Sequence, residues 1–158
     1  MSPDPTLLTG LGAAISLFLT GAGAAYATGH ASLFATRHQD KMAMVPVIQA
    51  GVLALYGIII SYKLTTKINA EADITLMEGY KYLSAGLCVG LSCLASGGGM
   101  ALYLKKLNAN EMYFVRKGAT DTKDDKSKKF SFVTFVLCLI YQEAIGLYGL
   151  IIALFLVG

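Results

Sequence analysis

Four long apolar stretches, residues 7–28, 42–62, 82–104 and 130–157, limit what this 158-residue chain can fold into. Each is at or near the roughly 20 residues a helix needs to cross a ~30 Å hydrocarbon core. The last, about 28 residues, is expected to tilt or to project beyond the bilayer. Lipid offers no partners to backbone N–H and C=O groups, so the spans are expected to be helices that satisfy themselves. Charge supports the same reading. Only 15% of the residues are charged, against roughly a quarter in ordinary soluble domains. Of the ten acidic residues, Glu143 alone lies inside an apolar stretch. The chain therefore reads as an all-α membrane protein, a single four-helix domain over 1–158. The start, "MSPDPTLLTGLG", has no basic n-region, so a cleaved signal peptide is not expected.

Basic residues set an orientation. The first loop carries Arg37 and Lys41, and the second Lys63, Lys67 and Lys81, offset by Glu71, Asp73 and Glu78. The third, 105–129, carries eight Lys and Arg. The positive-inside rule places the first and third loops in the cytoplasm and both termini on the opposite, lumenal face, with 65–81 as a lumenal loop. The third loop mixes signs and reads as a solvated connector, with a docking surface for a cytoplasmic partner or anionic lipid as the alternative. Cys88, Cys93 and Cys138 lack metal-ligand spacing and are odd in number, so they read as small buried side chains. No metal or cofactor is expected, and no nucleic acid.

The chain also repeats itself. "QAGVLALYGIIISYKL" from Gln49 aligns with "YQEAIGLYGLIIALFL" from Tyr141, matching Leu55-Tyr56-Gly57 to Leu147-Tyr148-Gly149 and Ile59-Ile60 to Ile151-Ile152. A first hairpin, 1–64, is thus repeated as a second, 82–158, in parallel sense. The alignment sets Gly51 opposite Glu143. The odd spans carry stripes of small residues at three- and four-residue steps: Ala13, Ser16, Thr20, Gly23 and Ala27, then Gly86, Gly90, Cys93, Gly97 and Ala101. Such stripes let backbones approach closely in lipid. They suit packing within one protomer or a tightly curved inner wall made by many.

Glu143 is the candidate functional residue. A charged carboxylate at the bilayer centre costs roughly 2.5–3.5 kcal/mol on insertion scales, which makes intramembrane acids functional by default. Facing lipid, it is expected to hold its proton; beside a fixed cation or a water-filled half-channel, to release it. No basic residue lies at its depth, so the cation must come from a partner or from solvent. A structural acid bonded to Gln49, Ser92 or Tyr56 is the alternative. Tyr148, five residues on, does not share its face and suits packing or an interhelical hydrogen bond better than proton handling.

These segments resemble the proteolipid c subunit of eukaryotic V-type ATPases: Glu143 with "GLYGLIIALFL", "VPVIQAGVLALYG" at 45–57 and "GLCVGLSCLASG" at 86–97, with "GAGAAYATG" at 21–29 as a degraded first-span motif. The resemblance covers all four spans and is specific in the second and fourth. It implies a multi-copy rotor ring of c-type proteolipids in a vacuolar or other acidic endomembrane. In that ring Glu143 carries the proton, Tyr56, Gln49, Tyr148 and Gly51 support it, and Gly23, Gly86, Gly90 and Gly97 pack the helices. It implies a stator a subunit whose arginine strips the proton, and a d subunit and central stalk on the cytoplasmic side. An acid in the last span fits the c or c′ type better than c″. The third loop departs from the family in length and charge, and lacks the usual proline and arginine before the last span. The first loop lacks the usual lysine. Sodium-binding relatives place polar ligands where this chain has Leu53 and Val52, which favours the proton, although Gln49 and Gln142 keep sodium open. No GxxxxGK[ST] loop is present, so ATP chemistry is expected on other subunits. A structural or assembly proteolipid, and an independent tetraspan pore, are the competing readings.

Overall fold

The computed structural model describes residues 4–38, 41–70, 74–110, 113–114 and 129–158. Four helices account for almost all of them: α1 (Pro5–His38), α2 (Val45–Ala70), α3 (Leu76–Ala109) and α4 (Phe132–Val157). All four are long and apolar enough to cross a membrane, and the protein is an integral membrane protein. A 3₁₀ turn, Lys41–Met44, leads into α2. After α3, Tyr113–Phe114 (β1) pairs in parallel with Lys129–Phe130 (β2), so the chain comes back alongside itself before entering α4. Most of the third loop, read above as a connector or docking surface, lies outside the described residues.

Three of the helices, α1, α2 and α3, run past their apolar stretches, while α4 lies within its own. With 34 residues each, α1 and α3 are about 50 Å long and exceed a ~30 Å hydrocarbon core. The start of α3 shows why a hydropathy window stops short. Thr75 is its N-cap and Glu78 its third residue. The Thr75 N–H donates to Glu78 Oε2 at 2.8 Å, and the Glu78 N–H donates to Thr75 Oγ1 at 3.4 Å. This capping box satisfies two amides that the helix cannot, so the helix begins in polar sequence ahead of its apolar stretch.

The centre of the fold is the contact between α1 and α3. A Cβ added at Gly12 would lie 2.7 Å from the Tyr82 carbonyl oxygen, and one at Gly23 would lie 2.7 Å from that of Cys93. Gly86 and Gly97 face back onto the backbones of Gly12 and Gly23. Both pairs are eleven residues apart on their helices. An α-helix returns to within about 20° of the same face in that distance, so one stripe of each helix makes both contacts and the helices run parallel. Their ends agree. Gly79 abuts Pro5 at one end, and Arg37 Nη1 donates to the Asn108 carbonyl at 2.8 Å at the other. The first and third connections therefore leave from the same end of the bundle.

Both stripes read from the sequence are buried between helices of the same chain. Gly90 accommodates Leu19, whose Cβ would stand 2.9 Å from an added Cβ. The hairpin repeat is visible in the packing. Gly57 of α2 lies on Thr20 and on the Ser16 carbonyl of α1, and Gly149 of α4 lies on Ser92 and on the Cys88 carbonyl of α3. Each Leu-Tyr-Gly glycine thus meets a hydroxyl side chain of the helix that opens its own hairpin. Near the basic end, Phe34, Phe135 and Tyr103 stack, with ring centroids 5.4 and 6.1 Å apart. The three cysteines are free. Large apolar side chains such as Phe18, Ile48 and Phe155 point outward, as a lipid-facing surface requires.

Gly97→Leu is expected to disrupt the fold, because its side chain would meet the α1 backbone, which cannot move aside as a flexible side chain could. Gly21→Leu, with no neighbour within 4 Å of an added Cβ, is expected to be tolerated. Thermal melting of the two variants in detergent, read by intrinsic fluorescence, tests the contrast.

Candidate functional site

Glu143 lies on α4, half-buried, where that helix meets α2 and α3. Three contacts fix the turn that carries it. Ser96 Oγ, on the fully buried face of α3, donates to the Gln142 carbonyl oxygen at 2.5 Å. A helical carbonyl has a second lone pair, so it takes this bond in addition to its intrahelical one. One turn on, Gly146 has no side chain, and Leu53 of α2 closes over it with Cδ2 at 2.8 Å from where a Cβ would stand. Cys93 Sγ lies 4.0 Å from the Gly146 carbonyl oxygen. At the next turn Gly149 meets Ser92. The backbone around the acid is therefore held by small residues and hydroxyls, with no ion pair to it among the described residues.

The carboxyl itself has one hydrogen-bond partner among the described residues. Tyr56 Oη, on α2, donates to Glu143 Oε1 at 3.3 Å, a long bond for an O–H donor. Of the three partners the sequence suggests, Tyr56 is the one that reaches the acid. Ser92 Oγ instead donates to the Val89 carbonyl at 3.0 Å. Gln49 Oε1 is buried without a hydrogen-bond partner among the described residues, as is Gln142 Oε1. Gly51, the repeat counterpart of Glu143, is exposed, with nothing within 4 Å of an added Cβ. Tyr148 faces outward, away from the acid. Of the sequence-derived candidates, Glu143 and Tyr56 come together directly, while Gly51 and Tyr148 stand on bare surface. Val52 and Leu53 bring no oxygen toward the acid, and Leu53 is used for packing.

Sequence reasoning missed Ser96 as a positioning residue, including it only within the "GLCVGLSCLASG" segment. The signal was a hydroxyl within a run of glycines: where backbones approach this closely, a serine side chain reaches a carbonyl of the next helix.

Chemically, the arrangement presents one carboxyl to a neutral donor. A phenol can donate to the acid's carbonyl oxygen or to the carboxylate, so the contact is kept whether or not the acid holds its proton.

Comparison with known proteins places these features in context. The chain is 34% identical over 113 residues to the V-type proton ATPase subunit c′ of Saccharomyces cerevisiae, covering 72% of this chain and 60% of that protein. It is 32% identical over 151 residues to subunit c′ of Candida glabrata, covering 92% of this chain and 84% of the relative. It is 32% identical over 152 residues to the human V-type proton ATPase 16 kDa proteolipid subunit c, covering 92% and 88%. No protein-family profile matches the chain.

Ser96→Ala is expected to cost about 1 kcal/mol, the net worth of one hydrogen bond. Gly146→Val forces a side chain into Leu53 and is expected to cost more, in the ~1–3 kcal/mol range of overpacking. Denaturation midpoints of the detergent-solubilised protein should fall in that order.

Proposed function

The chain belongs to the c and c′ proteolipid family of V-type proton ATPases, and from that premise we propose that it is a rotor-ring subunit whose Glu143 loads and releases one proton as the ring turns. It is a proton-translocating subunit of the pump's membrane sector. The observation that carries the finer reading is Glu143 itself, the one acid inside an apolar stretch, held by a neutral donor and by no cation among the described residues. A salt-bridged acid would be locked in its charged form; one held by a phenol stays free to change state.

The chemistry follows from the solvent. In contact with hydrocarbon, Glu143 carries its proton, because the ionised form costs roughly 2.5–3.5 kcal/mol or more there. Against a fixed guanidinium the balance reverses, since an opposite charge close by favours the ionised carboxylate. An arginine of the stator a subunit supplies that charge, and half-channels on either side of it supply and remove the proton. Other c-type proteolipids complete the ring. A d subunit and central stalk engage the cytoplasmic end, where the first and third loops emerge, and the termini are lumenal. The membrane is the vacuole's or that of another acidic endomembrane. Hydrolysis of ATP occurs on other subunits, so this chain is not a catalyst alone.

In purified pump reconstituted in vesicles, Glu143→Gln in every copy is expected to reduce ATP-driven acidification to background while the ring still assembles. Normal acidification would overturn the carrier role and leave a structural proteolipid. Tyr56→Phe removes one donor worth about 0.5–1.5 kcal/mol, so transport should fall only about two- to tenfold. Carbodiimide, which needs a protonated carboxyl reachable from lipid, should label Glu143 selectively, with labelling unchanged by sodium. Protection by sodium would replace the proton with that ion.

A further inference from the structure

Two amide oxygens are buried within the apolar stretches with no donor among the described residues: Gln49 Oε1 on α2 and Gln142 Oε1 on α4. Their places on the helices bring them to one seam. Leu53 of α2 closes over Gly146 of α4, and Gln49 and Gln142 each stand four residues ahead of one member of that pair. Both helices start from the same end of the bundle, so the two amides lie at one height, about a turn below the Leu53–Gly146 contact. Their azimuths agree as well. At 100° per residue, Gln49 falls between Leu53 and Tyr56, both of which reach α4. Gln142 falls between Gly146 and Gly149, both of which meet α3. The Gln142 side chain accordingly lies against Gly99 of α3, with Cδ 3.9 Å from where a Cβ would stand. Three helices thus meet around two unpaired acceptors, at a point where one of them has no side chain.

We propose that Gln49 and Gln142 hold a resident water in the seam of α2, α3 and α4, at the level of Glu143. The water donates one O–H to each amide oxygen and so pairs both acceptors at once. A buried acceptor left unpaired gives up its hydration with nothing in return, and hydrocarbon supplies no donor. The apolar core is interrupted at this level. One buried cluster includes Leu53, Cys93 and Leu150, the other Met100, Phe135 and Leu139, and Gln142 lies on α4 between them. The donor count selects a neutral ligand. A hard cation needs several oxygens, and these residues bring two amide oxygens. The Glu143 carboxyl is engaged by Tyr56, and the Gln142 carbonyl oxygen by Ser96. The inference does not rest on the rotor reading, since the amides need a donor whatever Glu143 does. It adds a polar step, next in sequence to the acid, to a seam that is otherwise apolar.

An experimental density map of the chain, in the assembly from which it is purified and at a resolution that shows ordered water, tests the site. Density is expected about 2.7–3.2 Å from both Oε1 atoms, equal in sodium and potassium buffers. Density that appears only with sodium would make this a cation site. Direct contact between the two amides, or a neighbouring subunit's side chain between them, would leave no place for water. Each of these results overturns the proposal. Thermal melting in detergent gives an independent readout. Gln49→Met and Gln142→Met each remove one acceptor with little change in volume. With a shared water, either variant strands the other amide, so each should lower the midpoint by roughly 2–4 °C. The double variant leaves no acceptor unpaired and should recover most of that loss, the non-additivity expected of residues sharing one partner. Dry amides predict the opposite sign: each variant removes an unpaired acceptor, and the midpoints rise additively. That outcome also overturns the proposal.

Discussion

Close approach of the α1 and α3 backbones is the constraint on which the rest of this structure hangs. In lipid, two apolar helices gain little from hiding from water, because their surroundings are as apolar as they are. Association then depends on how near the helices come and how many atoms meet. Gly12 against Gly86 and Gly23 against Gly97 remove the side chains that would hold the backbones apart. The parallel pair so formed gives each outer helix a fixed wall. On it, Gly57 and Gly149 find Thr20 and Ser92 at equivalent places, and Glu143 comes to one height and one azimuth.

The site inherits its rigidity from that wall without being part of it. Ser96 holds the Gln142 carbonyl, and Leu53 holds Gly146. Among the described residues, the carboxyl between those anchors has only the long contact from Tyr56. A tightly held backbone with a loosely held head group suits the proton exchange proposed for Glu143.

Legibility in the sequence followed the physics of each feature. The four helices could be read because lipid imposes a length and forbids charge, and Glu143 because it breaks that prohibition. The hairpin repeat could be read from Leu-Tyr-Gly alone. The small-residue stripes were visible, but a stripe names no partner, so their burial against each other inside one chain had to come from the structure. Tyr56 could be narrowed only to one of three candidates, since hydrogen bonding across helices depends on azimuths that spacing does not supply. The extra turns of α3 were missed because hydropathy windows ignore capping, although Thr75-x-x-Glu78 stood in the sequence. The pairing of Tyr113–Phe114 with Lys129–Phe130 has no signature at two residues' length.

The eleven-residue interval between the α1–α3 contacts sets a rule for insertions and deletions. Each residue advances a helix by about 100°. Deleting one residue between Gly12 and Gly23 would swing Gly23 out of the seam and bring the methyl group of Ala24 into its place, whereas the same deletion between Gly86 and Gly97 would bring in Gly98. The seam is therefore locked in phase on α1, while the glycine run at 97–99 leaves α3 some slack, and a deletion in one helix is not made good by a deletion in the other. Length can change freely only where no phase has to be kept. In this chain the connections between the helices are such places.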